Sequence, residues 1–179
     1  MSEKVRKRIA VVPGSFDPVT LGHVDLVSRA SRLFDEVVVA VLENASKDPW
    51  FSAEGRVLMI EREVVALPNV RVVRFAGLLV DLVEKEGADV VVRGVRGGSD
   101  LEYETLMARM NAHLRPGLET VFLPSSPQHT HIASRLVREI AYLGGSVQGL
   151  VSEKVAVAVE TRAEERRADR AFASRGSAQ

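Results

Sequence analysis

The chain has 179 residues, enough for one domain with a sizeable buried core. Its 24 lysine and arginine residues balance 24 aspartate and glutamate residues, so no overall basic charge favours a nucleic-acid partner, and any anion site must be built locally. The absence of cysteine excludes disulfides, thiolate metal sites and a cysteine nucleophile, and without an apolar run of membrane-spanning length we expect a soluble, cytoplasmic protein.

Short apolar runs rich in β-branched residues alternate along the chain with segments of helical spacing. Such runs are typical of strands that are covered on both faces of a sheet. The alternation predicts an open α/β fold, with a parallel five-stranded sheet and helices on both faces. The predicted strands are 9–12, 37–42, 70–75, 90–92 and 120–123.

Several helix boundaries carry local signals. Ser99 and Glu102 have the spacing of a capping box, which predicts that a helix begins there. Gly87 and Gly144 follow helical segments and predict helix ends that need a left-handed residue. Because the charged residues 161–179 lack an apolar stripe at their outer end, we expect a domain over 1–160 and a frayed or disordered extension.

The segment 12–23, VPGSFDPVTLGH, follows the first strand, where open α/β sheets bind ligands. Gly14 permits close approach of the backbone, and Ser15 offers a hydroxyl to phosphate. A helix beginning at Gly22 would present free amides to the same anion, and His23 can donate a ring N–H. A plain strand-to-helix turn with a surface histidine is an equally good reading of these residues alone. Neither a GxxxxGK[ST] loop nor a GxGxxG after the first strand is present.

The same segment resembles the signature of the nucleotidylyltransferase superfamily, a (His/Thr)-x-Gly-His element after the first strand. Over residues 8 to 160 the chain is similar to the bacterial pantetheine-phosphate adenylyltransferase family. The matching pieces are TLGH at 20–23, SKDP at 46–49, RGVR at 93–96, DLEYE at 100–104 and MNAH at 110–113.

This resemblance implies a Rossmann-like nucleotidylyltransferase fold and a reaction of coenzyme A biosynthesis. ATP and 4′-phosphopantetheine would give dephospho-coenzyme A and pyrophosphate, with Mg²⁺ carried in by ATP. It also implies a homohexamer that binds neither nucleic acid nor membrane. Two other functions stay open: a superfamily enzyme with another acceptor, such as nicotinamide mononucleotide or glycerol phosphate, and a non-catalytic nucleotide-binding module.

The resemblance also implies roles for single residues. Ser15 would contact both substrates, and His23 would stabilise the transition state at the α-phosphate. Lys47 and Arg93 would bind the phosphate of phosphopantetheine, and Leu79 would line its pantetheine arm. A solvated lysine and an arginine paired with a helix carboxylate are the alternatives for Lys47 and Arg93. The implied catalytic residues are His23, Ser15, Lys47 and Arg93; the implied ATP-binding residues are Ser15, Phe16, His23, Gly94, Val95, Arg96, Glu104, His129, Thr130, His131, Ile132, Ala133, Ser134 and Arg135.

The second ATP motif departs from the family pattern. Relatives read Ile-Ser-Ser-Ser or Ile-Ser-Ser-Thr where residues 132–135 read IASR. Ala133 removes one hydroxyl, and Arg135 would either meet the triphosphate or point to solvent. His129 and His131 replace aromatic residues, and without a third ligand nearby we expect no resident metal ion.

Overall fold

The computed structural model describes residues 6–43 and 48–176. In these residues five parallel strands form one sheet in the order β3-β2-β1-β4-β5, which confirms the predicted sheet. Each strand contains its predicted run and extends it by up to three residues. The strands are β1 Ile9–Gly14, β2 Glu36–Leu42, β3 Val70–Phe75, β4 Val90–Val95 and β5 Glu119–Pro124.

Helices connect these strands and follow the last one. Gly87 and Gly144 adopt left-handed φ angles of 61° and 83° directly after α3 and α5, as the sequence predicts. The last helix runs across residue 160, and the proposed domain boundary there stays a prediction. The helices are α1 Leu21–Leu33, α2 Ala53–Val64, α3 Leu79–Lys85, α4 Gly98–Leu114, α5 Ser134–Tyr142 and α6 Glu153–Gly176, with a short 3₁₀ helix at Pro127–His129.

The sheet is buried on both faces, which explains its valine-rich strands. In β1, Ala10 and Val12 pack into a core shared with α1, α2, α5 and α6. Val11 points to the opposite face, where it packs with Leu82 and Val83 of α3. From β1 the chain continues to β2 on one side, and from β4 it continues to β5 on the other. The strand order therefore reverses between β1 and β4, and such a switch point opens a crevice at the carboxyl ends of the strands.

The capping box predicted at Ser99 and Glu102 is wrong. Helix α4 begins at Gly98 and has Gly97 as its N-cap, with no hydrogen bond from a capping side chain. Ser99 therefore lies inside the first turn. The carboxylate of Asp100 accepts the backbone N–H of Arg96 at 3.3 Å, so the side-chain hydrogen bond at this helix start comes from a different residue.

None of the helices that the structure describes is both long and apolar enough to cross a membrane.

Candidate active site

A cavity of about 330 Å³ opens at the switch point, between β1, β4 and the N-terminal ends of α1, α4 and α5. Most of the residues implied by the resemblance meet there, although they come from distant parts of the chain. Those that line the cavity are Ser15, Phe16, His23, Arg93, Gly94, Arg96, Glu104, His129, Ile132, Ala133, Ser134 and Arg135.

Five implied residues are not part of this lining. Leu79, at the start of α3, packs on the face of the sheet that buries Val11. Val95 pairs with Pro124 in the sheet. The Thr130 hydroxyl donates to the carbonyl of Pro127 at 3.1 Å, and His131 is exposed. Lys47 lies outside the described residues. The binding roles of all five stay predictions.

The turn after β1 is shaped by a buried aromatic ring. Phe16 has a φ of 49°, which is uncommon for a residue with a side chain, and it is only 2% exposed. Its ring meets the ring of His23 edge to face, with 5.0 Å between centroids. A Cβ on Gly14 would lie 2.9 Å from the Phe16 ring, so only glycine fits beneath it. The Phe16 ring therefore packs against His23 and requires glycine at position 14.

Thr20 and His23 form the capping box that begins α1. The Thr20 hydroxyl accepts the backbone N–H of His23, and the backbone N–H of Thr20 donates to His23 Nδ1 at 3.0 Å. Because Nδ1 accepts a hydrogen bond from an N–H, we assign the proton of the neutral ring to Nε2. The motif thus caps a helix and selects the histidine tautomer at once.

His23 is kept neutral by its surroundings. Burial lowers its pKa to about 4, and the positive charges of Arg96 and Arg93 act in the same direction. At neutral pH the ring is therefore uncharged. It offers its Nε2–H, which has no hydrogen-bond partner among the described residues, to a ligand in the cavity.

Arg93 is held in a fork by a carboxylate. Its Nε and Nη2 donate to Glu104 at 2.7 and 2.5 Å, and its Nη1 donates to the carbonyl of Pro13 at 2.5 Å. The pairing with a helix carboxylate, one of the two alternatives from sequence, is therefore present. A guanidinium has five N–H donors, so two remain for an anion and the group is held in place for it.

The cavity is lined by four arginines and three carboxylates. Arg29 pairs with Asp25, Arg93 with Glu104, and Arg96 with Asp100. Arg135 lies in the first turn of α5, is exposed, and makes no hydrogen bond or ion pair within the part of the chain that the structure describes. It is the cation with the greatest freedom to meet a ligand.

The hydroxyl of Ser134 is hydrogen-bonded to the turn after β1. It donates to the carbonyl of Pro18 at 2.8 Å, so its proton is already used, although its oxygen can still accept. His129, from the 3₁₀ helix, lines the cavity with a buried Nδ1 that has no hydrogen-bond partner among the described residues.

Sequence reasoning missed Arg56 of α2. This side chain is 4% exposed and donates to the carbonyls of Ser15, Leu42 and Phe51 at 2.5 to 3.2 Å. It therefore ties the turn after β1 to the end of β2. The sequence signal for it was weak: Arg56 lies one turn before Ile60, on the face of α2 that the structure buries. No spacing along the chain links it to Ser15.

Residues 11–140 match the model of the cytidylyltransferase-like family. The chain is 51% identical over 147 residues to the phosphopantetheine adenylyltransferase of Thiobacillus denitrificans, which covers 82% of this chain and 92% of that protein. It is 48% identical over 147 residues to the protein of the same name from Dictyoglomus thermophilum, covering 82% and 90%.

The fold also matches a crystal structure from Vibrio parahaemolyticus that is assigned as a nicotinate-nucleotide adenylyltransferase. The TM-score is 0.65 and the match covers 88% of this chain and 94% of that chain. At 17% identity this likeness supports the fold alone. The sequence relatives go further, because their high identity spans nearly their whole length. The chain belongs to the cytidylyltransferase-like family and, within it, to the phosphopantetheine adenylyltransferases.

Proposed function

We propose that this protein transfers the adenylyl group of ATP to 4′-phosphopantetheine, giving dephospho-coenzyme A and pyrophosphate. The observation that carries the proposal is the convergence of a neutral, cap-fixed His23 with arginine side chains in one cavity at the switch point of the sheet. Such a cavity suits two polyanions that must be held side by side.

The reaction needs no general base. An oxygen of the phosphopantetheine phosphate attacks the α-phosphorus of ATP, a new P–O bond forms, and the bond to the β-phosphate breaks as pyrophosphate leaves with the electron pair. The second pKa of a phosphate monoester is about 6, so the attacking oxygen is already anionic near neutral pH. Catalysis then consists of positioning and charge stabilisation.

The groups in the cavity divide this work. His23 donates its Nε2–H to an α-phosphate oxygen, where charge builds in the transition state. The two remaining donors of Arg93 bind the acceptor phosphate, with Lys47 as a second cation for it. Ser15 lies between the two substrates, and Arg96 and Arg135 hold the outer phosphates of ATP.

A magnesium ion would reach this site bound to ATP. The carboxylates of Asp25, Asp100 and Glu104 are engaged by arginines, and no cluster of three or more metal-binding side chains occurs in residues 6–43 and 48–176. Such an ion would rely on phosphate oxygens and water rather than on a cluster of protein carboxylates. When bound, it neutralises part of the charge on the phosphates.

The assay that tests the proposal follows the product. Purified protein with ATP and phosphopantetheine should release pyrophosphate and form dephospho-coenzyme A, identified by mass spectrometry. Nicotinamide mononucleotide and glycerol phosphate serve as competing acceptors, and turnover with one of these instead of phosphopantetheine would overturn the assignment. ATP binding without any turnover would favour a non-catalytic module. His23→Ala should reduce kcat far more than it weakens ATP binding.

We also propose that the protein assembles as the homohexamer that the family resemblance implies, through a surface that includes α4. Helix α4 has one buried residue, Asn111, while its large apolar side chains are exposed. Their spacing places most of them on one side of the helix, and an apolar patch of this kind is typical of an interface. Light scattering after chromatography should show hexamers that dissociate in Leu106→Glu. The exposed apolar residues of α4 are Leu101, Tyr103, Leu106, Met107, Met110 and Leu114.

The cytoplasmic location of the protein stays a prediction.

A further inference from the structure

Two arginines of α6 hold the short segment 48–51, which precedes α2. Arg166 donates from both Nη atoms to the carboxylate of Asp48 at 2.8 and 2.9 Å, and also to the carbonyl of Pro49 at 3.1 Å. Its guanidinium lies 5.7 Å from the centre of the Trp50 ring. Arg162, one helical turn earlier on the same face, donates to the carbonyl of Trp50 at 3.0 Å.

The opposite side of the segment is bound to the turn after β1. Asp17 is 5% exposed, and its carboxylate accepts the backbone N–H groups of Trp50 and Phe51 at 2.9 and 3.0 Å. Arg138 of α5 donates to the same carboxylate and to the Asp17 carbonyl. Asp17 follows Ser15 by two residues, so the segment is bonded between α6 and the turn that carries a proposed catalytic residue.

These contacts are better suited to positioning than to overall stability. The Asp48 side chain is 80% exposed, and an ion pair open to water is screened and adds little to the free energy of folding. The bidentate geometry nevertheless fixes direction, because both oxygens of Asp48 and the carbonyls of Pro49 and Trp50 are bound by the two rigid guanidinium groups. The loss of one arginine would therefore loosen the segment while the fold persists.

We propose that Arg162 and Arg166 are positioning residues for the acceptor substrate. They hold residues 48–51, which begin directly after Lys47 in the chain, against the turn that carries Ser15. The inference rests on the proposed function, because it concerns the phosphopantetheine side of the site. ATP should be affected less, because Arg96 directly follows β4, Arg135 lies in the first turn of α5, and none of the α6 side chains that the structure describes lines the active-site cavity.

The experiment uses the full-length protein and compares Arg166→Ala, Arg162→Ala and the double variant with the wild type. We expect the KM for phosphopantetheine to rise about five- to tenfold, the size of one ordinary hydrogen bond because these arginines act on the substrate indirectly, while the KM for ATP stays within about twofold. Arg166→Lys should recover part of the loss, because a lysine reaches Asp48 without the fork.

Trp50 gives a readout that does not depend on activity. It is the single tryptophan of the chain, so its fluorescence reports on this segment. Arg166→Ala should increase quenching of Trp50 by acrylamide. Arg170→Ala is the matched control, because Arg170 lies one turn further along α6 and donates to the Tyr142 hydroxyl at 3.3 Å rather than to the segment. It should change neither the quenching nor either KM.

The outcomes separate the two proposals. A wild type without turnover of phosphopantetheine would overturn the proposed function. A wild type with that turnover, alongside Arg166→Ala with an unchanged or equally raised KM for both substrates, would overturn this inference alone. If Arg166→Ala fails to fold, Asp48→Asn removes the same ion pair from an exposed side chain and must give the same KM pattern.

Discussion

The lowered pKa of His23 predicts that this residue makes the stability of the protein depend on pH. The ordinary histidine pKa of 6.5 applies to the unfolded chain, and the pKa in the folded protein is about 4. Between these values the unfolded state binds more protons. The stability that neutral His23 contributes is therefore fully present above about pH 6.5 and is lost as the pH falls toward 4. A change from pH 7.5 to pH 5 should lower the free energy of unfolding by at most about 2 kcal/mol. This is an upper figure because the ring keeps some contact with solvent.

The substitution His23→Gln isolates this effect. Glutamine is favoured at the third position of a capping box, so the cap with Thr20 should persist while the titrating group is removed. Urea unfolding at one fixed protein concentration should show that the wild type loses up to about 2 kcal/mol more than His23→Gln between the two pH values. His131→Gln, at an exposed histidine, should behave like the wild type. An equally steep loss in His23→Gln would refute the neutral state of the ring in the folded protein.

Three further predictions concern binding and the core. Lys47→Ala and Arg93→Ala should each raise the KM for phosphopantetheine by about tenfold or more, and equal effects on ATP would contradict their roles. Arg135→Ala should raise the KM for ATP several-fold and leave that for phosphopantetheine unchanged; no effect on either would mean that Arg135 faces solvent in the complex. Ile60→Ala should lower the free energy of unfolding by about 2–5 kcal/mol. Leu58→Ala, at a side chain that is 52% exposed, should change it by no more than about 0.5 kcal/mol, and similar losses would contradict the described core.

Local signals predicted the strands well because each is buried on both faces and so reads as a continuous apolar run. Gly87 and Gly144 were equally readable, since a left-handed helix end strongly favours glycine. The capping box was less secure, because Ser99-x-x-Glu102 and Thr20-x-x-His23 both fit the spacing. Helix α4 begins at Gly98, one residue before Ser99, whereas the pattern at Thr20 does form the capping box of α1.

By itself, the sequence determined the class of fold, the switch-point turn from Val12 to His23, and the family to which the chain belongs. These depend on residues that are neighbours along the chain or recur at a fixed period. Only the tertiary structure decided how the site is held, through contacts such as Arg56 with Ser15, Arg93 with Glu104, and Arg166 with Asp48. The partners in the first and last of these pairs are 41 and 118 residues apart, and no local spacing encodes such a contact. They form because the parallel sheet brings the ends of distant strands together and α6 packs against α5.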